Sequence, residues 1–127
     1  MFFCILNTIK YRIQVFRLME TSTTIMDQCV VIQFSGELTS DSVSHVETLF
    51  NKHQNEHHHF VIDLSMTNFL GSSVLKVILA RHNDLLKEGG AVSFCSPNEV
   101  IKEVLDFSGF SNIIPTFTDL ESYLNQV

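Results

Sequence analysis

No stretch of the chain approaches the ~18 consecutive apolar residues that a bilayer-spanning helix requires, so membrane insertion is not expected. Positive charge is also sparse. Lysine and arginine number 8 against 14 acidic residues, form no run and leave a net charge of −6, which argues against direct binding to nucleic acid or to an anionic membrane. Cysteine occurs only at positions 4, 29 and 95, an odd number without CxxC or other metal-type spacing. Buried thiols in a reducing, cytoplasmic compartment are expected, with Cys95 inside an apolar strand-like run.

Catalytic patterns are missing as well. There is no nucleophile elbow and no acid–base pair recognisable by spacing, so an enzyme is not expected. Gly89-Gly90 stands without the rest of a phosphate-binding loop and reads as a turn. His57, His58 and His59 are consecutive, with no cysteine or carboxylate pattern to complete a tetrahedral set, so they read as a solvated loop. His45, His53 and His82 read as helix-surface residues. No metal or cofactor is expected. Internal repeats, low-complexity segments and a second domain are also absent, and 127 residues suit one domain.

What is present is organised around Phe60 to His82. Phe60, Val61, Ile62 and Leu64 form a short apolar run that reads as a central strand covered on both faces. Met66 to Leu70 reads as a connection. After Gly71-Ser72-Ser73, the residues Val74, Leu75, Ile78, Leu79, Leu85 and Leu86 recur at spacings of three and four, the period of an amphipathic helix. Two serines at a helix start offer hydroxyls where the first N–H groups lack partners, and such a start favours negative charge.

Upstream, residues 1–18 are set apart as an extension. Its basic residues follow its apolar opening instead of preceding it, so no signal peptide is expected, while Ile9, Tyr11, Ile13 and Val15 alternate as a half-buried strand would. The domain proper is 19–127. Thr21 to Met26 suits an edge strand, Asp27-Gln28 a hairpin turn and Cys29 to Phe34 a second strand, ended by Ser35-Gly36. Thr39 to Ser42 supplies capping side chains for a helix with Val43, Val46, Leu49 and Phe50 inward, ending near His53.

Downstream, Gly89-Gly90 closes the central helix and Ala91 to Cys95 is a strand. Ser96-Pro97-Asn98-Glu99 reads as a capping box with Ser96 as the cap, opening a helix whose inner face is Val100, Ile101, Val104, Leu105 and Phe107 and whose stop is Gly109. Ile113-Ile114 reads as a last short strand, and Thr118 to Glu121 as a second capping box before a helix carrying Leu120, Tyr123 and Leu124. The alternating order predicts an α/β sandwich with a partly parallel, mixed sheet of about four to five strands and about four helices.

These residues carry a resemblance. From about Ile25 to Leu124 the chain resembles a STAS domain of the anti-sigma factor antagonist (anti-anti-sigma factor) family. The matching pieces are Phe34-Ser35-Gly36-Glu37-Leu38, Val61-Ile62-Asp63-Leu64-Ser65, Ser72-Ser73, Gly89-Gly90 and Val104 to Phe110. The family motif around its regulated residue is Asp-Ser-Ser-Gly, which implies Ser73 as the phospho-acceptor and Ser72 as second choice. Gly71 stands where the family has Asp, and Val74 where it has Gly. The resemblance further implies that Glu37, Thr39, Ser40, Asp63, Gly71, Ser72, Ser73 and Val74 form a partner-binding face. Its implied partner is an anti-sigma factor serine kinase, sequestered to free a sigma factor and released on phosphorylation, with a phosphatase as a further partner. Capping of the helix is the alternative role for the two serines. The alternative function is an unphosphorylated STAS subunit of a transporter or other regulatory assembly.

Overall fold

The computed structural model describes residues 19–26 and 29–126. The readings for residues 1–18 and for the Asp27-Gln28 turn lie outside them. Strand β1 (Met19–Met26) pairs antiparallel with β2 (Cys29–Leu38), Met19 standing opposite Gly36 and Met26 opposite Cys29. Strand β3 (His59–Asp63) lies parallel to β2, β5 (Ala91–Cys95) parallel to β3, and β6 (Thr116–Phe117) parallel to β5. A fourth strand, β4 (Thr67–Leu70), pairs with the last residues of β2, with Gly36 opposite Thr67 and Leu38 opposite Leu70. The result is a six-stranded mixed sheet in the order β1-β2-β3-β5-β6, with β4 continuing beyond β3 along β2. Helices α1 (Val43–His53), α2 (Ser72–Leu86), α3 (Glu99–Ser108) and α4 (Leu120–Leu124) complete the α/β sandwich.

Side-chain alternation assigns the two faces. Val30, Ile32 and Phe34 of β2, Phe60 and Ile62 of β3, and Val92 and Phe94 of β5 form one core with Phe50, Val74, Ile78, Leu85, Ile101 and Leu105 from α1, α2 and α3. On the other face Cys29, Val31, Val61 and Cys95 meet Leu120, Tyr123 and Leu124, so short α4 covers the back of the sheet. Phe60, Val61 and Ile62 are all fully buried, as a strand covered on both faces requires, and each contributes about 2 kcal/mol by leaving water.

Several sequence expectations are corrected. Ser35-Gly36 does not end β2: Gly36 takes φ 106 at a register shift, and pairing with β4 carries the strand on to Leu38. Met66 to Leu70 is a connection only as far as Met66, because the Thr67 hydroxyl donates to the Phe34 carbonyl at 2.8 Å and Leu70 is buried. Ser96 is not a helix cap. Its N–H donates to Phe117 O at 3.0 Å and its φ is 60, so Asn98 caps α3 instead, its side chain accepting from Ile101 N at 2.8 Å.

Val100 and Phe107 leave the inner face of α3. Ile101 and Leu105 set the buried stripe; Val100 lies roughly 100° and Phe107 roughly 120° or more around the helix from it, 62 % and 91 % exposed. Gly109, at φ 83, does stop this helix. Ile113-Ile114 is not a strand: a 3-10 turn covers Phe110–Asn112, Ile114 plugs the core, and β6 follows Pro115, whose carbonyl accepts from Phe94 N at 2.8 Å. Asp119, one residue after Thr118, caps α4 by accepting from Ser122 N at 2.7 Å, a bond that holds its carboxyl below the ordinary range.

His82 is corrected as well, since it is buried at 4 % exposure and not on the helix surface. Its Nδ1 accepts from Val92 N at 3.0 Å, which satisfies the backbone of β5 and requires an unprotonated Nδ1. Burial lowers its pKa. A lowered folded-state pKa makes the stabilisation complete above the unfolded value of about 6.5 and lost progressively as pH falls below it. Urea unfolding is therefore expected to give a lower midpoint at pH 5.5 than at pH 7.5, with a flatter profile for His82→Gln. Some slope remains in that variant, because His53 is lowered in the same direction by burial and by Lys52.

Candidate functional site

The C-terminal ends of the parallel strands gather the predicted site residues. At the end of β2, Thr39 caps a 3-10 turn over Ser40–Ser42: its hydroxyl accepts from Asp41 N at 3.2 Å, while Ser42 Oγ accepts from Thr39 N at 3.0 Å. This turn packs against α2. Strand β4 delivers Leu70 to the core, and Gly71 N then donates to Leu38 O at 2.9 Å. That one bond ties the Thr39–Ser40 segment to the start of α2.

Gly71, not a serine, is the cap of α2, with extended backbone (φ −87, ψ 161) and no side-chain capping bond. Ser72 and Ser73 are the first two residues of the helix, Ser72 exposed and Ser73 half-buried. Capping by these serines is thereby corrected. The first-turn N–H groups, which have no acceptor within a helix, also have none from a capping side chain here, so the positive end of a four-turn helix is directed at the serine pair. Val74 is fully buried and anchors the helix start to the core.

Gly71 has a steric reason to lack a side chain. A Cβ there would lie 3.3 Å from Leu38 O and 3.3 Å from the Phe69 ring. Gly71→Ala is expected to lower stability by about 1 kcal/mol, from crowding and from replacing a tolerated cap residue by a poor one. Gly71→Asp, which supplies a capping oxygen, should recover part of that loss in the same denaturation measurement.

Asp63 is held differently. Its Oδ1 accepts from Ser65 N at 2.9 Å and its Oδ2 from Gln33 Nε2 at 3.3 Å, while the same Gln33 amide donates to Ser65 Oγ at 3.2 Å. These bonds shape the turn from β3 into β4. Asp63 is opposite Gln33 whereas Leu70 is opposite Leu38, so five residues of β2 separate them, roughly 15 Å. Glu37, Thr39, Ser40, Gly71, Ser72, Ser73 and Val74 thus come together, and Asp63 lies at the same end of the sheet but apart from them. Cys95, opposite Asp63 in β5, is a free thiol pushed up to about 11 by burial and by that carboxylate, so it is no nucleophile at neutral pH. Among the described residues no group of three or more His, Cys, Asp or Glu side chains is arranged to hold a metal ion, and His58 Nδ1 contacts Glu88 Oε1 at 3.0 Å.

Three residues at this end were not singled out from sequence as surface-forming: Met66, Phe69 and Val100, 56 %, 50 % and 62 % exposed. Phe69 is opposite Glu37 in register. Reading Thr67 to Leu70 at period two would have separated Phe69 from Leu70, but four residues are a weak strand signal.

The STAS domain family pattern matches residues 20–123. An anti-sigma F factor antagonist from Paenibacillus polymyxa is 31 % identical over 102 residues, which cover 77 % of this chain and 86 % of that protein. Among solved structures, an anti-sigma factor antagonist from Mycobacterium paratuberculosis is similar with a TM-score of 0.76 at 25 % identity, covering 86 % of this chain and 93 % of that one. An anti-sigma-factor antagonist (STAS) domain protein from Planctomyces limnophilus shares the fold at TM-score 0.70 and 20 % identity, covering 82 % of this chain and 94 % of that one.

Proposed function

The chain belongs to the STAS domain family, and from that premise we propose that it is an anti-sigma factor antagonist switched by phosphorylation of Ser73. The observation that carries this reading is a serine pair at the uncapped positive end of α2, on a surface fixed by the Gly71–Leu38 bond and the buried Val74. The unphosphorylated face binds an anti-sigma factor that is also a serine kinase, and the sigma factor held by that protein is freed. The kinase brings ATP and magnesium.

In the transfer, Ser73 Oγ attacks the γ-phosphorus of ATP. The new O–P bond replaces the bond to the β-phosphate oxygen, ADP leaves, and the hydroxyl proton passes to a base on the kinase or to water. The product carries about −1.5 to −2 charges at a helix start, where the fold tolerates them. An interface closed over an uncharged hydroxyl does not tolerate them, because a charge taken out of water without a partner costs several kcal/mol. Release follows, and a phosphatase resets the chain. Such a cycle belongs in the cytoplasm and needs no catalytic group on this chain.

A sigma-release assay tests the reading. Purified sigma and anti-sigma factors from the cell of origin are combined, and the unphosphorylated chain is added. Free sigma factor should appear in proportion to added chain. If every sigma complex stays intact at saturating chain, the reading fails. A second reading, an unphosphorylated STAS subunit of a transporter or other assembly, draws on Gly71 standing where the family has Asp, and that outcome would favour it.

A further inference from the structure

The parallel strands all end on one side of the molecule, and α2 and α3 both begin there. Three of the large apolar side chains exposed on the domain share this end. Met66 leads into β4, Phe69 lies within it, and Val100 stands in the first turn of α3. They are held in fixed relation. Asn98 Nδ2 donates to Thr67 O at 3.2 Å, which joins the α3 start to β4, and α3 packs on β4. Gly36 N donates to Met66 O at 3.0 Å, and the Phe69 ring covers Gly71, immediately before Ser72.

Charge around these three side chains is mainly acidic, the exception being Lys102 in the first turn of α3, whose Nζ lies 3.9 Å from Asp106 further along the helix. Glu37 is exposed and opposite Phe69, Glu99 is exposed and precedes Val100, and residues 35–42, 63–73 and 95–100 contain no lysine or arginine. An exposed apolar group with an acidic rim is matched by an apolar socket with a basic one.

We propose that Met66, Phe69 and Val100 are the anchors by which the anti-sigma factor is held, and that it meets them with an apolar socket flanked by lysine or arginine facing Glu37 and Glu99. This inference rests on the reading of the chain as an anti-sigma factor antagonist, and extends its partner face beyond the serine pair to the start of α3. Phe69 is the central anchor, since its ring lies between Glu37 and the serine-bearing helix start. Apolar anchors confer affinity through desolvation, whereas the acidic rim acts on the association rate and its salt dependence.

The test is a titration of the full-length chain against the purified anti-sigma factor of its own cell, at low and high salt. Phe69→Ala should weaken binding at least tenfold while lowering the unfolding midpoint only slightly, because half of the ring already lies in water. Glu37→Lys should slow association and flatten the salt dependence. Phe107→Ala, which removes a 91 % exposed ring at the far end of α3, should bind as the wild type does. If Phe69→Ala and Glu37→Lys bind like the wild type while Ser73→Asp does not, this docking surface is overturned and the switch stands. If no anti-sigma factor binds the wild-type chain, the underlying reading fails and the docking surface with it.

Discussion

Ser73→Asp is expected to weaken binding of the anti-sigma factor by about 100-fold or more, and Ser73→Ala to bind within a few-fold of the wild type. The first figure corresponds to about 2.7 kcal/mol, below the several kcal/mol that desolvating an unpaired carboxylate can cost. The alanine variant removes a hydroxyl that makes no capping bond, since Gly71 occupies the cap position and the serine is already inside the helix. Stability should move little in either variant. A carboxylate in the first turn of α2 is favourable for the helix by about 0.5 kcal/mol, so weakened binding cannot be attributed to unfolding. Equal binding of the two variants, measured by calorimetry, would reduce Ser73 to an ordinary helix residue.

Gly90→Ala is expected to destabilise the domain by about 3 kcal/mol, the largest single effect foreseen on stability. A Cβ at Gly90 would overlap the carbonyl of His58, a backbone group that itself accepts from Ala91 N at 3.0 Å where β3 and β5 begin to pair. A side chain in conflict could turn away, but this carbonyl is fixed by the sheet. The neighbouring Gly89 makes the informative comparison. It sits at φ +82 with nothing within 4 Å of a built Cβ, so Gly89→Ala meets only the left-handed backbone cost, about 1 kcal/mol. Chemical denaturation of the two variants should separate them clearly, and equal midpoints would contradict a steric role for Gly90.

Strand β3 was legible because Phe60, Val61 and Ile62 are consecutive and apolar, as a strand buried on both faces requires, in a run too short for a buried helix. Helix α2 was legible from its period, and the end of α3 from Gly109. Strand β4 was not legible because it pairs only with the tip of β2 and alternates over just four residues. Burial of His82 depends on Val92 N, ten residues away across a helix-to-strand turn, and no local spacing reveals such a partner. The α3 cap was misplaced because Ser96, an ideal capping residue by type, is committed through its N–H to Phe117 in β6. At the candidate site the serine pair was visible as a motif, while the role of Gly71 as the cap was not. Met66, Phe69 and Val100 were indistinguishable from core residues until the buried stripe of each element was fixed in space.

The most direct measurement is intact-mass analysis of the chain isolated from its own cells, with fragmentation across residues 69–76. A phosphorylation switch predicts a phosphate-sized increment assigned to Ser73 in part of the population, with the fraction changing between growth conditions. A chain that carries no increment under any condition in which it is made, or carries it only on another residue, would contradict a switch at Ser73.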